Sequence, residues 1–500
     1  MKNYGIIKTR KNTENPFKQT SLKGNKKSMP VRGGGTERSY MKRKLRLMAA
    51  VLSAAMVPAI FAGCGEKNET AKGGGIKTVT VWTCNSHSKA VVTRLCNDWN
   101  ETKGKEKGIK IDYQIKSADN IIQSTELALK SGNAPDFFGS GDLVKYATNG
   151  DIMPIDDLPG GSEIINSFRD YIEEGRTMYQ GKTYTIPTTA TPGGLVYNKD
   201  MFKAAGIVDE NGEAKPPETL EEMRKCAKKL TDVANKQYGI IYPMKWDGWF
   251  AHDIICTKMS SDGFETYNPG SGKFEYDGFK PVFEAFLGMR NDGSVYPGAE
   301  SLDNDTARAL FAEGGIGMKL AMSFDVGVYN DQFPAKIDWG VAPYPVADKN
   351  NKYKQRMDVG GGWFINAHSK LDKSILAEIV KFISSDDFIR TSYKEGTDLP
   401  CDWSKVDDIE LKDAKKGWED FAKLVGESAL IPLKPKTDKS GLRSDDKIFI
   451  EDIYTGKISI DDGIALMNEN ANAAVENYYS AHKDEDKNQY YKEGWQAPKR

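Results

Sequence analysis

From Thr78 onward, short β-rich runs alternate with stretches whose apolar residues recur at helical spacing, and that alternation leaves few folds open. Thr78-Val79-Thr80-Val81-Trp82 reads as a strand, and Val92, Leu95, Cys96 and Trp99 recur as on a helix face. Residues 109–115 alternate as a second strand. Ile121, Thr125, Leu127 and Leu129 belong to a helical stretch that ends near Gly132. Ala134-Pro135-Asp136-Phe137-Phe138 is a third strand, which Gly139-Ser140-Gly141 turns into a helix from Asp142. Strand, helix, strand, helix, strand predicts a parallel α/β layer, because parallel strands need a crossover between them. Ligands of such sheets bind beyond the carboxyl ends of the strands. The expected binding edge therefore runs through residues 82–87 and 139–142.

The middle of the chain repeats the style. Gly194-Leu195-Val196-Tyr197 is a strand, Pro216-Pro217 breaks the chain, and Thr219 can cap a helix carrying Met223, Ala227 and Leu230. Glu221-Glu222 sits in the first turn of that helix, where its dipole favours negative charge. Residues 305–313 read as a helix, followed by a Gly-rich turn and a strand at Ile316-Gly317-Met318-Lys319-Leu320. Residues 371–383 and 458–479 are further helical stretches. A length of 500 residues suggests two or three domains. A formal net charge of -1 gives no reason to invoke nucleic acid, which favours a strongly basic face.

The first residues read as an address. Residues 1–40 are polar, without apolar period, and are expected to be a mis-assigned start or a disordered leader. Met41-Lys42-Arg43-Lys44-Leu45-Arg46 is a basic opening to the apolar run 47–62. As a helix that run would reach about 24 Å, short of a hydrocarbon core of about 30 Å, so 41–63 fits a signal peptide. It ends in Phe61-Ala62-Gly63-Cys64, which resembles the lipobox of bacterial lipoproteins, with Phe61 where Leu is usual. That resemblance implies a lipid on Cys64 and an anchor in the membrane; the alternative is a secretory signal with an incidental cysteine. Residues 64–76 have the Gly-rich composition of a flexible tether. Five cysteines remain, an odd number without CxxC spacing, so no disulfide framework is expected.

Downstream, the punctuation becomes specific. Tyr197-Asn198-Lys199-Asp200-Met201-Phe202, Ala205-Gly206-Ile207 and Pro217-Glu218-Thr219-Leu220-Glu221-Glu222 occur in order. Gly150-Asp151-Ile152-Met153-Pro154 lies ahead of them. Phe311-Ala312-Glu313-Gly314, Ser323-Phe324-Asp325, Trp339-Gly340-Val341-Ala342-Pro343, Gly360-Gly361-Gly362-Trp363 and Thr455-Gly456-Lys457-Ile458 follow. Together, from about residue 77 to 480, these resemble the family 1 extracellular solute-binding proteins, the sugar-binding group that includes maltose-binding protein. The resemblance implies an α/β, periplasmic-binding-protein-like (type II) fold, with two lobes, a hinge and a ligand cleft between them. It places 77–187 plus 359–396 in one lobe, 188–358 plus 397–490 in the other, and 491–500 in a tail. Crossings are expected near 185–190, 356–360 and 395–399.

A sugar site needs aromatic platforms for C–H faces and planar polar groups for hydroxyls. Trp246 and Trp249 lie in a polar loop, 242–250, that resembles the family's aromatic stacking loop; the alternative is packing on their own lobe. Asp142 matches a position whose carboxylate accepts sugar hydroxyls, although Asp is also a favoured N-cap. Asn85 and Ser86 follow the first strand and border the cleft in relatives, with helix capping as their other role. His87 and Lys89 are weaker candidates. Phe324-Asp325 stands where many relatives carry Trp-Asp, keeping a flat face without the indole donor. Trp363 follows the triple glycine as a cleft aromatic or a core residue, and Arg443 completes the set. Thr191 stands where some relatives have an acidic ligand, so that contact is expected to be missing.

The expected role is capture of a mono- or oligosaccharide for ABC permease subunits, by a monomer held at the extracellular face of a bacterial membrane. Another small solute, such as a polyamine, peptide or anionic sugar, is the alternative, and a glycan-acting enzyme a more distant one. Asp156-Asp157 are adjacent, whereas glycosidase carboxylates stand on different elements about 5–9.5 Å apart. The four histidines show no HExxH spacing, and neither GxSxG nor a P-loop occurs. No cofactor, metal or nucleic acid is expected.

Overall fold

A computed structural model describes residues 75–118, 120–245 and 247–500, with the side chains of 247–249 outside the description. The leader, the signal peptide, Cys64 and Trp246 lie outside the described residues, as does the side chain of Trp249. No helix among the described residues is long and apolar enough to cross a membrane.

The chain enters as β1 (Lys77–Thr83), α1 (Lys89–Trp99), β2 (Ile109–Ile115), α2 (Ile121–Ser131), β3 (Phe137–Phe138), α3 (Leu143–Asn149) and β4 (Ile152–Met153). Val79 and Val81 point into the core from alternate positions of β1, as a half-buried strand requires. Gly132 ends α2 in the left-handed region at φ 71°. β1 pairs in parallel with β2 and β3.

A second set follows. It comprises β5 (Thr189–Asn198), α4 (Leu220–Leu230), β6 (Tyr238–Ile240), α5 (Asp247–Asp262), α6 (Lys280–Asn291), α7 (Asn304–Ala312), β7 (Ile316–Met322), β8 (Trp339–Ala342) and β9 (Gln355–Gly360). The chain then returns to the first sheet through β10 (Phe364–Asn366), α8 (Lys373–Ile383) and α9 (Asp386–Lys394). It closes with β11 (Leu399–Pro400), α10 (Trp418–Gly426), β12 (Ser428–Ala429) and α11 (Ile460–Ala481). The first sheet has the order β2-β1-β3-β10-β4, and the second β12-β9-β5-β7-β6, with β8 and β11 also pairing β5. Two sheets fed by interleaved segments make the two lobes.

β5 joins them. Its first residues pair antiparallel with β9, from Thr189 opposite Gly360 to Pro192 opposite Met357, and with β11, Ala190 opposite Leu399. Its later residues pair with β7 and β8, Leu195 opposite both Leu320 and Ala342. The three stretches where crossings are expected thus meet at one place in the fold. One apolar core runs from Val81 and Phe137 through Ala190 and Met357 to Trp339 and Trp418. A second packs Leu195 and Met318 against Phe283 and Phe449.

Two expectations change. The loop 242–250 is shorter than its polar composition suggests, because α5 begins at Asp247. Phe250 is fully buried against Tyr242 at 5.2 Å and Phe449 at 6.0 Å, so aromatic packing overrides the local preference. The residues beyond 490 also pack: the Lys354 N–H donates to the Pro498 carbonyl at 2.9 Å, and the Arg500 N–H to Lys352 at 3.1 Å.

Candidate functional site

A cavity of 580 Å³ lies where the loop after β1, the crossing strands and the amino end of β7's following turn converge. Its wall takes Cys84, Asn85, Ser86 and His87 from that loop, and Thr188–Thr191 and Asp358–Gly361 from the crossings. Asn304, Arg308, Ser323 and Phe324 enter from the second lobe, and Tyr113 and Trp363 from the first. The position fits the rule that open α/β sheets bind ligands beyond their strand ends.

Asn85, Ser86, Phe324 and Trp363 are therefore brought together. Trp363 is 5% exposed and stacks on Tyr113, ring centroids 5.8 Å apart and planes at 23°. The Tyr113 hydroxyl shares a 2.7 Å hydrogen bond with Thr83, and burial raises its pKa. Phe324 lies between two groups: the His87 ring 5.6 Å away at 33°, and the Arg308 guanidinium at 5.6 Å. His87 belongs to the first lobe, Phe324 and Arg308 to the second, so this stack spans the cleft.

Asp142, Asp325 and Arg443 do not line the cavity. Asp142 caps α3, its Oδ1 accepting from the Lys145 N–H at 3.0 Å. Asp325 is 1% exposed, accepts from Arg308 Nη2 at 2.5 Å and lies 3.6 Å from Lys319 Nζ. A buried carboxylate between two buried cations is held as their counter-charge. Arg443 lies at the surface, donating to Asp452 at 2.5 Å and to Glu451 at 2.6 Å.

Several lining residues were not foreseen. Arg308 and Asn304 sit on α7, Asp358 on β9 and Asp398 just ahead of β11. Thr191, where a contact was expected to be missing, also lines the wall. Only the glycines and threonines of the crossings hinted at this; nothing in sequence pairs α7 with the loop after β1.

Each charged group in the wall already has a partner. Arg308 meets Asp325 and, at 2.9 Å, Asp305. Burial works against the guanidinium's charge, but Asp325 more than offsets it and its pKa rises. Asp398 holds His87 Nε2 at 3.1 Å. Asp358 accepts from Arg356 Nε at 2.7 Å and meets His252 Nε2 at 2.8 Å. Burial would raise the Asp358 pKa, yet His252 and Arg356 hold it well below 3.8. Nearby Asp253, 2% exposed, is pushed up to about 6 by burial, against the pull of Lys319. Among polar atoms, the Asn304 Oδ1 and the Arg308 Nε are enclosed without a hydrogen-bond partner.

Cys256, His252 and Asp358 stand in the order of a nucleophilic triad, with Sγ 3.6 Å from His252 Nδ1. The thiol is fully buried, so no substrate reaches it. No group of three or more His, Cys, Asp or Glu residues that could hold a metal occurs among the described residues.

Comparison with known proteins places this arrangement. A Brucella abortus binding protein is 21% identical over 336 residues, covering 64% of this chain and 79% of its own. The diacetylchitobiose binding protein DasA of Streptomyces coelicolor is 23% identical over 365 residues, covering 70% of this chain and 79% of its own. The GacH receptor of Streptomyces glaucescens, solved unliganded and with acarbose, superposes with a TM-score of 0.62 at 18% identity, over 82% of this chain and 99% of that one. That likeness establishes the two-lobed fold. The family described as bacterial extracellular solute-binding protein matches residues 89–387, well over half of the sequence, and the chain belongs to it.

Proposed function

We propose that this protein captures an uncharged mono- or oligosaccharide between its lobes and delivers it to the membrane subunits of an ABC importer. The observation that carries the reading is the cavity wall: Trp363, Tyr113 and Phe324 offer flat faces, and Asn, Ser and Thr side chains offer neutral hydrogen-bonding groups. Arg308 and Asp358 have counter-charges within the protein, and the Asp398 carboxylate is engaged by His87. A polyamine would need unpaired carboxylates, and a phosphate or uronate an unpaired cation, since burying an uncompensated charge is costly. DasA is named for a chitin disaccharide and GacH was solved with acarbose, which supports a carbohydrate as the class. The chain's family is one of solute-binding proteins, which supports binding without hydrolysis.

Trp246 and Trp249 are proposed to add stacking faces, and Cys64 to carry the lipid that keeps the lobes near the permease. The protein then works as a monomer at the outer face of the membrane.

Calorimetry on the purified protein tests this. Neutral sugars are expected to bind with micromolar or tighter affinity, about 8 kcal/mol or more. Heat from spermidine or galacturonate, with none from any neutral sugar, would overturn the reading.

A further inference from the structure

Both lobes and the hinge meet at one side chain, His87. It follows β1 on the first lobe, in the short turn Ser86–Ser88. Its Nε2 lies 3.1 Å from Asp398 Oδ1, in the crossing just ahead of β11. Its ring also meets Phe324 of the second lobe, centroids 5.6 Å apart and planes at 33°, within the range where aromatic rings attract. The backbones approach as well: a Cβ on Gly327, three residues after Phe324, would lie 3.6 Å from the His87 carbonyl oxygen.

Phe324 is anchored on its own side. The Ser323 N–H donates to the Pro192 carbonyl of β5 at 3.0 Å, and Asp325 is tied to Arg308. The Arg308 guanidinium itself lies 5.6 Å from the Phe324 ring, close enough for a cation–π attraction. His87, Phe324 and Asp398 all line the cavity, and the side chains of His87 and Asp398 are 17% and 23% exposed. The contact therefore borders the cleft and can part without breaking a core.

We propose that His87 is a latch on the cleft: Asp398 orients its imidazole, and the ring clasps Phe324 when the lobes are shut. Every part of the clasp belongs to the chain, so it acts before any solute arrives. A contact made only in the shut state shifts the equilibrium toward that state. A solute that needs the shut state then binds more tightly in proportion to its population. The latch acts whichever solute the cavity takes, and so does not rest on the carbohydrate reading.

Small-angle X-ray scattering of the purified protein tests the latch with no ligand added. His87→Ala and Phe324→Ala are each expected to raise the radius of gyration as the lobes part. The double variant is expected to open no further than either alone, because both changes remove the same contact. His87→Gln keeps a donor for Asp398 but no ring, and is expected to open as far as His87→Ala. Phe324→Tyr keeps the flat face and is expected to match the unaltered protein. Thermal midpoints separate the alternative, since lost packing within one lobe lowers the midpoint and leaves the radius where it was. An unchanged radius in both alanine variants would overturn the latch, and so would a His87→Gln protein that stays shut. Either result leaves the carbohydrate reading to its own calorimetric test.

Discussion

Asp325 shows how a residue's neighbours reassign it. Its place beside an aromatic suggested a ligand contact, but Arg308 and Lys319 enclose it and the carboxylate balances both. Replacing it with Ala takes the buried counter-charge from Lys319 and leaves Arg308 only the exposed Asp305, and a loss of about 3–5 kcal/mol is expected in urea unfolding. Phe324, one position earlier, faces the cavity between His87 and Arg308. Phe324→Ala is expected to weaken sugar binding by about 1 kcal/mol or more, measured by titration, with a much smaller effect on unfolding. Arg443 gives the contrasting case. Its guanidinium is satisfied at the surface by Glu451 and Asp452, so Arg443→Ala should leave ligand affinity unchanged.

Among the elements, helices were read most accurately where a cap marks them. Thr219 Oγ1 accepts from the Glu222 N–H at 3.2 Å, and Glu222 reaches back to the Glu218 N–H at 2.8 Å, a local device visible as Thr-x-x-Glu. Asp142 works the same way, and Asp142→Ala is expected to cost about 1 kcal/mol of stability with little change in binding. β5 was harder to read. Only its later part carried a strand signal, because Thr189-Ala190-Thr191-Pro192 has little apolar alternation. Pairing with β9 and β11 makes that stretch a strand. Gly361 follows β9 at φ +89°, and a Cβ there would meet the Thr188 hydroxyl. Gly361→Ala therefore strains the backbone and crowds the crossing, at a cost of about 1–2 kcal/mol for the left-handed conformation alone. Because 358–361 lines the cavity, affinity should fall with it.

At the scale of the whole molecule, the cleft couples ligand, hinge and charge. Sugar at about a hundred times its dissociation constant should raise stability by about 2.7 kcal/mol, read as an upward shift of the thermal midpoint. The hinge also carries a pH signature. Burial opposes the charge on His252, but Cys256 and Asp358 raise its pKa well above 6.5, while Asp358 is held well below 3.8. The histidine's contribution is present below pH 6.5 and lost as pH rises through its raised value. The carboxylate's contribution is present above pH 3.8 and lost as pH falls through its depressed value. Both are complete between those limits, and the alkaline decline in melting temperature should be smaller in His252→Gln. Periodicity, caps and turn residues are local properties of the chain, so the α/β alternation, most element positions and the candidate loop at 85–87 could be read directly from it. The partners of a buried charge depend on which distant segments meet. That is why the joining of β5 to four other strands, the burial of Asp325 and the entry of Arg308 and Asp398 into the cavity emerged only once the chain was folded.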